Sequence, residues 1–148
     1  MIYLGADHGG FKLKEEIEAK LDSENIEYKD IGAFDEEPSD YPDFAFKVAE
    51  KVRDGGPGDF GILICTTSIG TSIAANKIKG IRAVVGYSKS AVERARNDVD
   101  VNVLCLGGGE MDHKQVLDII DVFLNTPFSN EERHVRRLSK IQKREQEE

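Results

Sequence analysis

The chain has 148 residues, 39% of them hydrophobic, with 28 acidic against 20 basic side chains and a formal net charge of −8. That length suits one domain, spanning residues 1–148, with a real core. No apolar run approaches the roughly 20 residues of a membrane-spanning helix, and the acidic balance argues against nucleic acid and anionic membranes as partners. An anionic ligand would therefore have to be held by a local cluster of positive groups and backbone donors.

Apolar runs alternate with amphipathic segments along the chain. Met1–Ala6 reads as a buried strand. No basic segment or cleavage-site pattern accompanies it, so a cytoplasmic location is the default expectation. The spacing of Phe11, Leu13, Ile17 and Leu21 predicts a helix over Gly10–Asn25. A second strand is expected over Glu27–Gly32, a loop from Pro38 to Pro42, and a second helix over Asp43–Asp54. Gly55-Gly56-Pro57-Gly58 is the strongest breaker. Asp59–Cys65 is the best strand, followed by a short polar turn and a helix to about Ile78. Strand four is expected over Ile81–Tyr87, and Ser88 can cap a helix to about Asn97. Val101–Leu106 is strand five, Gly107–Gly109 a loop, and Asp112 can cap a helix over His113–Asn125. The charged tail from Ser129 reads as a last helix, frayed over Lys143–Glu148.

This alternation implies an α/β domain with a five-stranded parallel sheet covered on both faces. Ligands of such sheets bind beyond the C-terminal ends of the strands. After strand one stands Asp7-His8-Gly9-Gly10, suited to an anion or hydroxyl ligand, or to simple helix capping by Asp7. After strand three stands Cys65-Thr66-Thr67-Ser68-Ile69-Gly70-Thr71-Ser72. Backbone N–H groups converging there can hold an oxyanion, and a helix N-terminus favours a thiolate able to act as a base. The alternative reading of Cys65, as of Cys105, is a small buried hydrophobe. Arg133 and Arg137 are four apart, so on a helix both guanidinium groups face one way and suit a phosphate. Nothing matches a P-loop or a dinucleotide fingerprint, and no spacing argues for a metal.

These residues also carry a resemblance. ADHGGFKLKEEI at 6–17, DYPDFA at 40–45, GILIC at 61–65, IGTSIAANKIKGIRA at 69–83, ND at 97–98 and RHVRR at 133–137 together resemble the ribose-5-phosphate isomerase B / galactose-6-phosphate isomerase family from end to end. The resemblance implies a Rossmann-like three-layer αβα sandwich with an extra C-terminal helix. It also implies interconversion of aldose and ketose phosphates, most of all ribose and ribulose 5-phosphate, through a cis-enediolate without metal or other cofactor. Homodimers or homotetramers with shared active sites are implied too. Carried over, Cys65 is the base, Thr67 assists ring opening, and backbone N–H groups of Thr66, Ser68 and Gly70 hold the enediolate oxygen. Asp7 and Asn97 bind sugar hydroxyls, Tyr41 lines the sugar pocket, and His8, Arg133 and Arg137 bind phosphate.

The chain departs from the family pattern in three places. Thr66 and Ser68 replace two glycines of Cys-Gly-Thr-Gly-x-Gly. Arg96 stands where a ring-opening His commonly precedes Asn-Asp, and is expected to set a charge on the sugar ring or on an extra phosphate. Gly109 stands at a position often held by a phosphate-binding Arg. The expectation these changes raise is a site that binds a sugar phosphate but differs in preferred substrate or in ring-opening efficiency, with isomerisation of a six-carbon sugar phosphate as the alternative activity. A non-catalytic sugar-phosphate-binding subunit and a nucleotide-binding module are the rival readings.

Overall fold

A computed structural model describes all 148 residues. Five parallel strands form one sheet in the order β2-β1-β3-β5-β4. They are β1 (Ile2–Ala6), β2 (Tyr28–Asp30), β3 (Phe60–Cys65), β4 (Ala83–Val85) and β5 (Val103–Gly107). Six helices accompany them: α1 (Phe11–Ser23), α2 (Tyr41–Gly55), α3 (Ile69–Ala75), α4 (Lys89–Val99), α5 (His113–Asn125) and α6 (Glu132–Gln146).

The continuous apolar strands work because the two faces of the sheet take alternate residues. Leu4, Ile62, Ile64, Leu104 and Leu106 pack with Leu13, Ile17, Val92, Val116 and Phe123 from α1, α4 and α5. Tyr3, Leu63, Val103 and Cys105 face the other way, against Ala45, Val48 and Val52 of α2 and Ala74 and Ala75 of α3. The result is a three-layer αβα sandwich, as the alternating pattern predicts. Cys65 shares the parity of Leu63, so its side chain belongs to the α2/α3 side.

Several element boundaries differ from expectation for local reasons. Pro42 does not break the chain: helix α2 begins at Tyr41 with the proline in its first turn, where a missing N–H costs nothing. Helix α3 stops at Ala75 instead of running to Ile78. The Asn76 amide leaves the helix and exchanges two hydrogen bonds with the backbone of Ala83, at 2.8 and 2.9 Å. The edge strands β2 and β4 are shorter than expected, each pairing along one side only. The last helix starts at Glu132 and runs through the supposedly frayed segment to Gln146. There the Glu145 carboxylate accepts the N–H of Gly80.

The most deeply buried charged side chain is Lys14, 1% exposed on α1. Its ammonium donates to both oxygens of Asp30 at 2.6 Å and to Glu18 at 3.2 Å. Burial alone would push the Asp30 carboxyl up, but hydrogen bonding from Lys14 wins and holds it below the usual range. The Asp30 carboxylate also accepts the N–H of Gly32. This cluster therefore ties α1 to the end of β2, from which the chain leaves toward Ser39 and His8.

Candidate active site

The C-terminal ends of β1 and β3 are neighbours, with Ala6 in register with Ile64. The loops leaving these two strands therefore meet at one edge of the sheet. Asp7, Tyr41, Cys65, Thr66, Thr67 and Gly70 line one cavity of about 170 Å³ there. The family resemblance implies a sugar site for all six, and the fold gathers them around one cavity.

Cys65 ends β3 and is buried, its sulfur turned toward the start of α3. The backbone N–H of Ser68 donates to Sγ at 3.2 Å. The hydroxyl of Thr71, one turn further, lies 3.6 Å from the same sulfur and 3.1 Å from the Ser68 carbonyl. A donor aimed at sulfur stabilises negative charge on it. The geometry requires Ser68 to adopt the left-handed region, with φ 74°. A non-glycine residue pays about 1 kcal/mol for that conformation, so the serine sits where a glycine would be relaxed. The backbone N–H groups of Thr67 and Gly70 find no acceptor within the chain, leaving donors at the cavity wall. Cys105 is the contrasting thiol. It is fully buried on β5, and burial pushes its pKa up to about 12.

Asp7 answers both of its sequence readings. Its Oδ1 accepts the N–H of Gly10 at 3.1 Å, capping a single 3-10 turn over His8–Gly10, while the buried carboxylate also lines the cavity. His8 is exposed beside it, tied to the Ser39 loop through its backbone N–H and through Nδ1, which takes the Ser39 N–H at 3.1 Å. The Ser39 carbonyl lies 3.2 Å from the same ring nitrogen. Tyr41, at the start of α2, stacks so close to α3 that a Cβ on Gly70 would fall 2.5 Å from its ring. Gly70 is thus what lets the tyrosine reach the cavity. No three His, Cys, Asp or Glu side chains converge in a geometry that suits a metal ion.

The remaining expected residues lie elsewhere. Asn97 and Arg133 share a separate polar depression with Ser90, Glu93, Arg94 and Asp98, between α4 and α6. The Asn97 amide donates to Asp98 at 2.7 Å, the main reason the Asp98 carboxyl stays below its usual range. Arg133 pairs with Glu131, whereas Arg137 is exposed and has no ion pair. Helix α6, which carries both arginines, buries only His134, whose ring meets Ser129 at 2.6 Å and Asp98 at 3.7 Å.

Arg96 lies away from the cavity and is engaged elsewhere. Only 6% exposed, it sits over the rings of Phe60 and Phe123 and donates to the carbonyls of Val101 and Thr126 and to Asp100. Phe60 opens β3 and Cys65 closes it, so the guanidinium is near the far end of the sheet, about 16 Å away at the usual strand rise. Its donors are spent on closing α4 onto β5, and it has no part in the cavity of its own chain.

The model of the Ribose/Galactose Isomerase family matches residues 2–141. The chain belongs to this family. It is 39% identical over 147 residues to the probable ribose-5-phosphate isomerase B of Mycoplasma genitalium, covering 99% of this chain and 96% of that one. Ribose-5-phosphate isomerase B of Clostridium thermocellum superposes with a TM-score of 0.94 at 42% identity, covering 99% and 97% of the two chains. The Mycoplasma genitalium enzyme solved with bound ribulose 5-phosphate superposes with a TM-score of 0.94 at 38% identity, over 99% and 97%. The Rossmann-like fold expected of a family member is thus the fold observed.

Two features of the site have roles that the sequence does not assign. Thr71 lies within the 69–83 segment but only the fold shows that it touches the Cys65 sulfur. His113 bridges Glu16, at 2.8 Å, and the carbonyl of Gly108, at 3.0 Å. It thereby pins the loop whose Gly108 N–H donates to the Cys65 carbonyl at 2.8 Å. That bridge joins residues 97 positions apart, and no local pattern announces it.

Proposed function

We propose that this ribose/galactose isomerase family member interconverts ribose 5-phosphate and ribulose 5-phosphate, with Cys65 as the base. The observation that carries the reading is the Cys65 sulfur, held by the Ser68 N–H at the wall of a cavity that also offers a carboxylate and unpaired backbone donors. The Cys65 thiolate takes the proton from C2 of the open-chain aldose. The electron pair moves into a C1–C2 double bond and negative charge appears on O1. The free backbone N–H groups of Thr67 and Gly70 receive that charge, where such donors contribute most, while the Ser68 N–H stays on the sulfur. The O2 proton passes to the neighbouring O1, and the same thiol returns its proton to C1 as the C2=O bond forms, giving the ketose. Asp7 accepts hydrogen bonds from sugar hydroxyls, the Thr67 hydroxyl assists ring opening, and Tyr41 lines the sugar.

His8 holds the phosphate in this reading, together with Arg137 and Arg133 contributed by a second copy of the chain. Asn97 reaches the sugar in the same way. What supports a homodimer with shared sites is that these groups lie outside the cavity of their own chain, and that Arg137 is unpaired. Helix α3, beside the cavity, also presents Ile69 and Ile73, each 58% exposed. Light scattering on the purified protein checks the dimer. The absence of any helix long and apolar enough to cross a membrane fits a cytoplasmic site of action.

The chemistry is tested by running the reaction in D2O. Proton transfer through an enediolate incorporates solvent deuterium at C1 of ribulose 5-phosphate, and a hydride shift does not. Absence of turnover on ribose 5-phosphate would leave the chain a binding subunit.

A further inference from the structure

Thr71 is buried on α3, 1% exposed, and its hydroxyl stands between two possible partners. It donates to the Ser68 carbonyl at 3.1 Å and lies 3.6 Å from the Cys65 sulfur, where either atom can be the donor. The Ser68 carbonyl does not depend on this proton, because it also accepts the Ser72 N–H at 3.3 Å. A threonine hydroxyl carries one proton and two lone pairs, and it turns about its C–O bond. The β-branched side chain holds the oxygen itself in place. Two arrangements therefore fit the same heavy atoms. Beside a neutral thiol, the hydroxyl donates to the Ser68 carbonyl and offers a lone pair to S–H. Beside a thiolate, it turns its proton to the sulfur and leaves the carbonyl to the Ser72 N–H.

We propose that Thr71 is a positioning residue for the proton transfer: its hydroxyl is the second donor to the Cys65 thiolate, beside the Ser68 N–H, and favours the form of the sulfur that acts as a base. The inference rests on the isomerase reading and deepens it. With Ser68 and Thr71 against it, the sulfur keeps its remaining side for the cavity, where the substrate carbon arrives. A hydrogen bond to an ionised atom is stronger than one to a neutral atom, so a hydroxyl able to serve both states favours the ionised one. The other titratable groups around the sulfur are Asp7 after β1, Tyr41 on α2 and Cys105 on β5. His8, beside Asp7, is turned to the Ser39 loop. No residue lining the cavity is cationic, so uncharged donors are what this chain offers a thiolate there.

The test titrates the Cys65 thiolate by its ultraviolet absorbance in the wild type, Thr71→Val, Thr71→Ala and Thr71→Ser. The spectrum of the same protein carrying Cys65→Ala is subtracted each time, so Cys105 and the tyrosines cancel. Thr71→Val keeps the shape without the hydroxyl, and its midpoint should rise by about one pH unit, the scale of one hydrogen bond to a charged group. Its kcat/KM on ribose 5-phosphate should fall about tenfold at pH values below both midpoints and recover toward the wild type above them. Thr71→Ser loses only the methyl group and should restore the midpoint whatever it does to Tm. Thr71→Ala also lacks the hydroxyl and gives the same reading if the valine variant does not fold. A wild-type midpoint in Thr71→Val or Thr71→Ala, or a shift in Thr71→Ser as large as theirs, overturns the inference and leaves the isomerase reading standing. A folded wild type inactive on ribose 5-phosphate overturns both.

Discussion

The backbone N–H of Ser68 points at the sulfur of Cys65 across 3.2 Å, and Ser68 holds a left-handed backbone to do so. The conformational cost at one residue places a donor on the other. Replacing Cys65 with Ala should lower kcat on ribose 5-phosphate by at least about a thousandfold, the scale of a lost general base. The melting temperature should move little, since a small buried side chain is exchanged for a smaller one. A variant that keeps wild-type turnover in a steady-state assay would remove the thiol from the mechanism.

Ser68→Gly separates the donor from the strain. Glycine retains the N–H and adopts positive φ freely, although it adds freedom to the unfolded chain. The net gain should be about 0.5–1 kcal/mol, or roughly 2–3 °C in Tm. Activity should be retained, because the hydrogen bond to Cys65 comes from the backbone. Calorimetry and the isomerase assay together check this; a fall in Tm would show that the serine hydroxyl contributes more than the backbone costs.

Arg96→Met distinguishes a structural guanidinium from a catalytic one. The substitution strips partners from the buried carbonyls of Val101 and Thr126, and should cost about 3 kcal/mol in chemical denaturation. Lysine should not rescue, since one ammonium cannot reproduce the planar fork lying over Phe60. At temperatures where the variant remains folded, kcat should stay within about twofold of the wild type. A selective loss of ring-opening rate at unchanged stability would restore Arg96 to the site.

His113 gives stability a pH dependence. Its two ring nitrogens face the Gly108 carbonyl and the Glu16 carboxylate, both acceptors, so the doubly protonated ring satisfies both. The hydrogen bond to the Gly108 carbonyl, aided by the charge of Glu16, holds its pKa above the usual value near 6.5. A raised folded pKa means this stabilisation is complete below the unfolded value and is lost as pH rises through the folded one. The Tm difference between the wild type and His113→Gln should therefore be largest in mildly acidic buffer and shrink on going alkaline. A difference independent of pH would refute it.

Much of this molecule is legible in the order of its residues, and the exceptions share a physical cause. The strand runs around Leu4, Ile62–Ile64 and Leu104 are apolar on both faces because helices cover both, so the strands can be read without partners. Asp7 and Cys65 come directly after or at the end of such strands, and the parallel sheet brings strand ends together, so their meeting is predictable. Arg96 is not readable, because its role is decided by the pair of rings from β3 and α5 and by a carbonyl thirty residues on. Pro42 is ambiguous in sequence because a proline looks the same whether it ends a loop or starts a helix.

The two cysteines have a practical consequence. Cys105 is sealed between the sheet and the α2/α3 layer with its thiol neutral at any physiological pH, and Cys65 opens on the cavity. The folded protein therefore offers a single addressable thiol. An alkylating reagent should consume one equivalent per chain, and bound ligand should shield that equivalent. The chain then carries its own occupancy meter, readable by mass spectrometry without any assay of turnover.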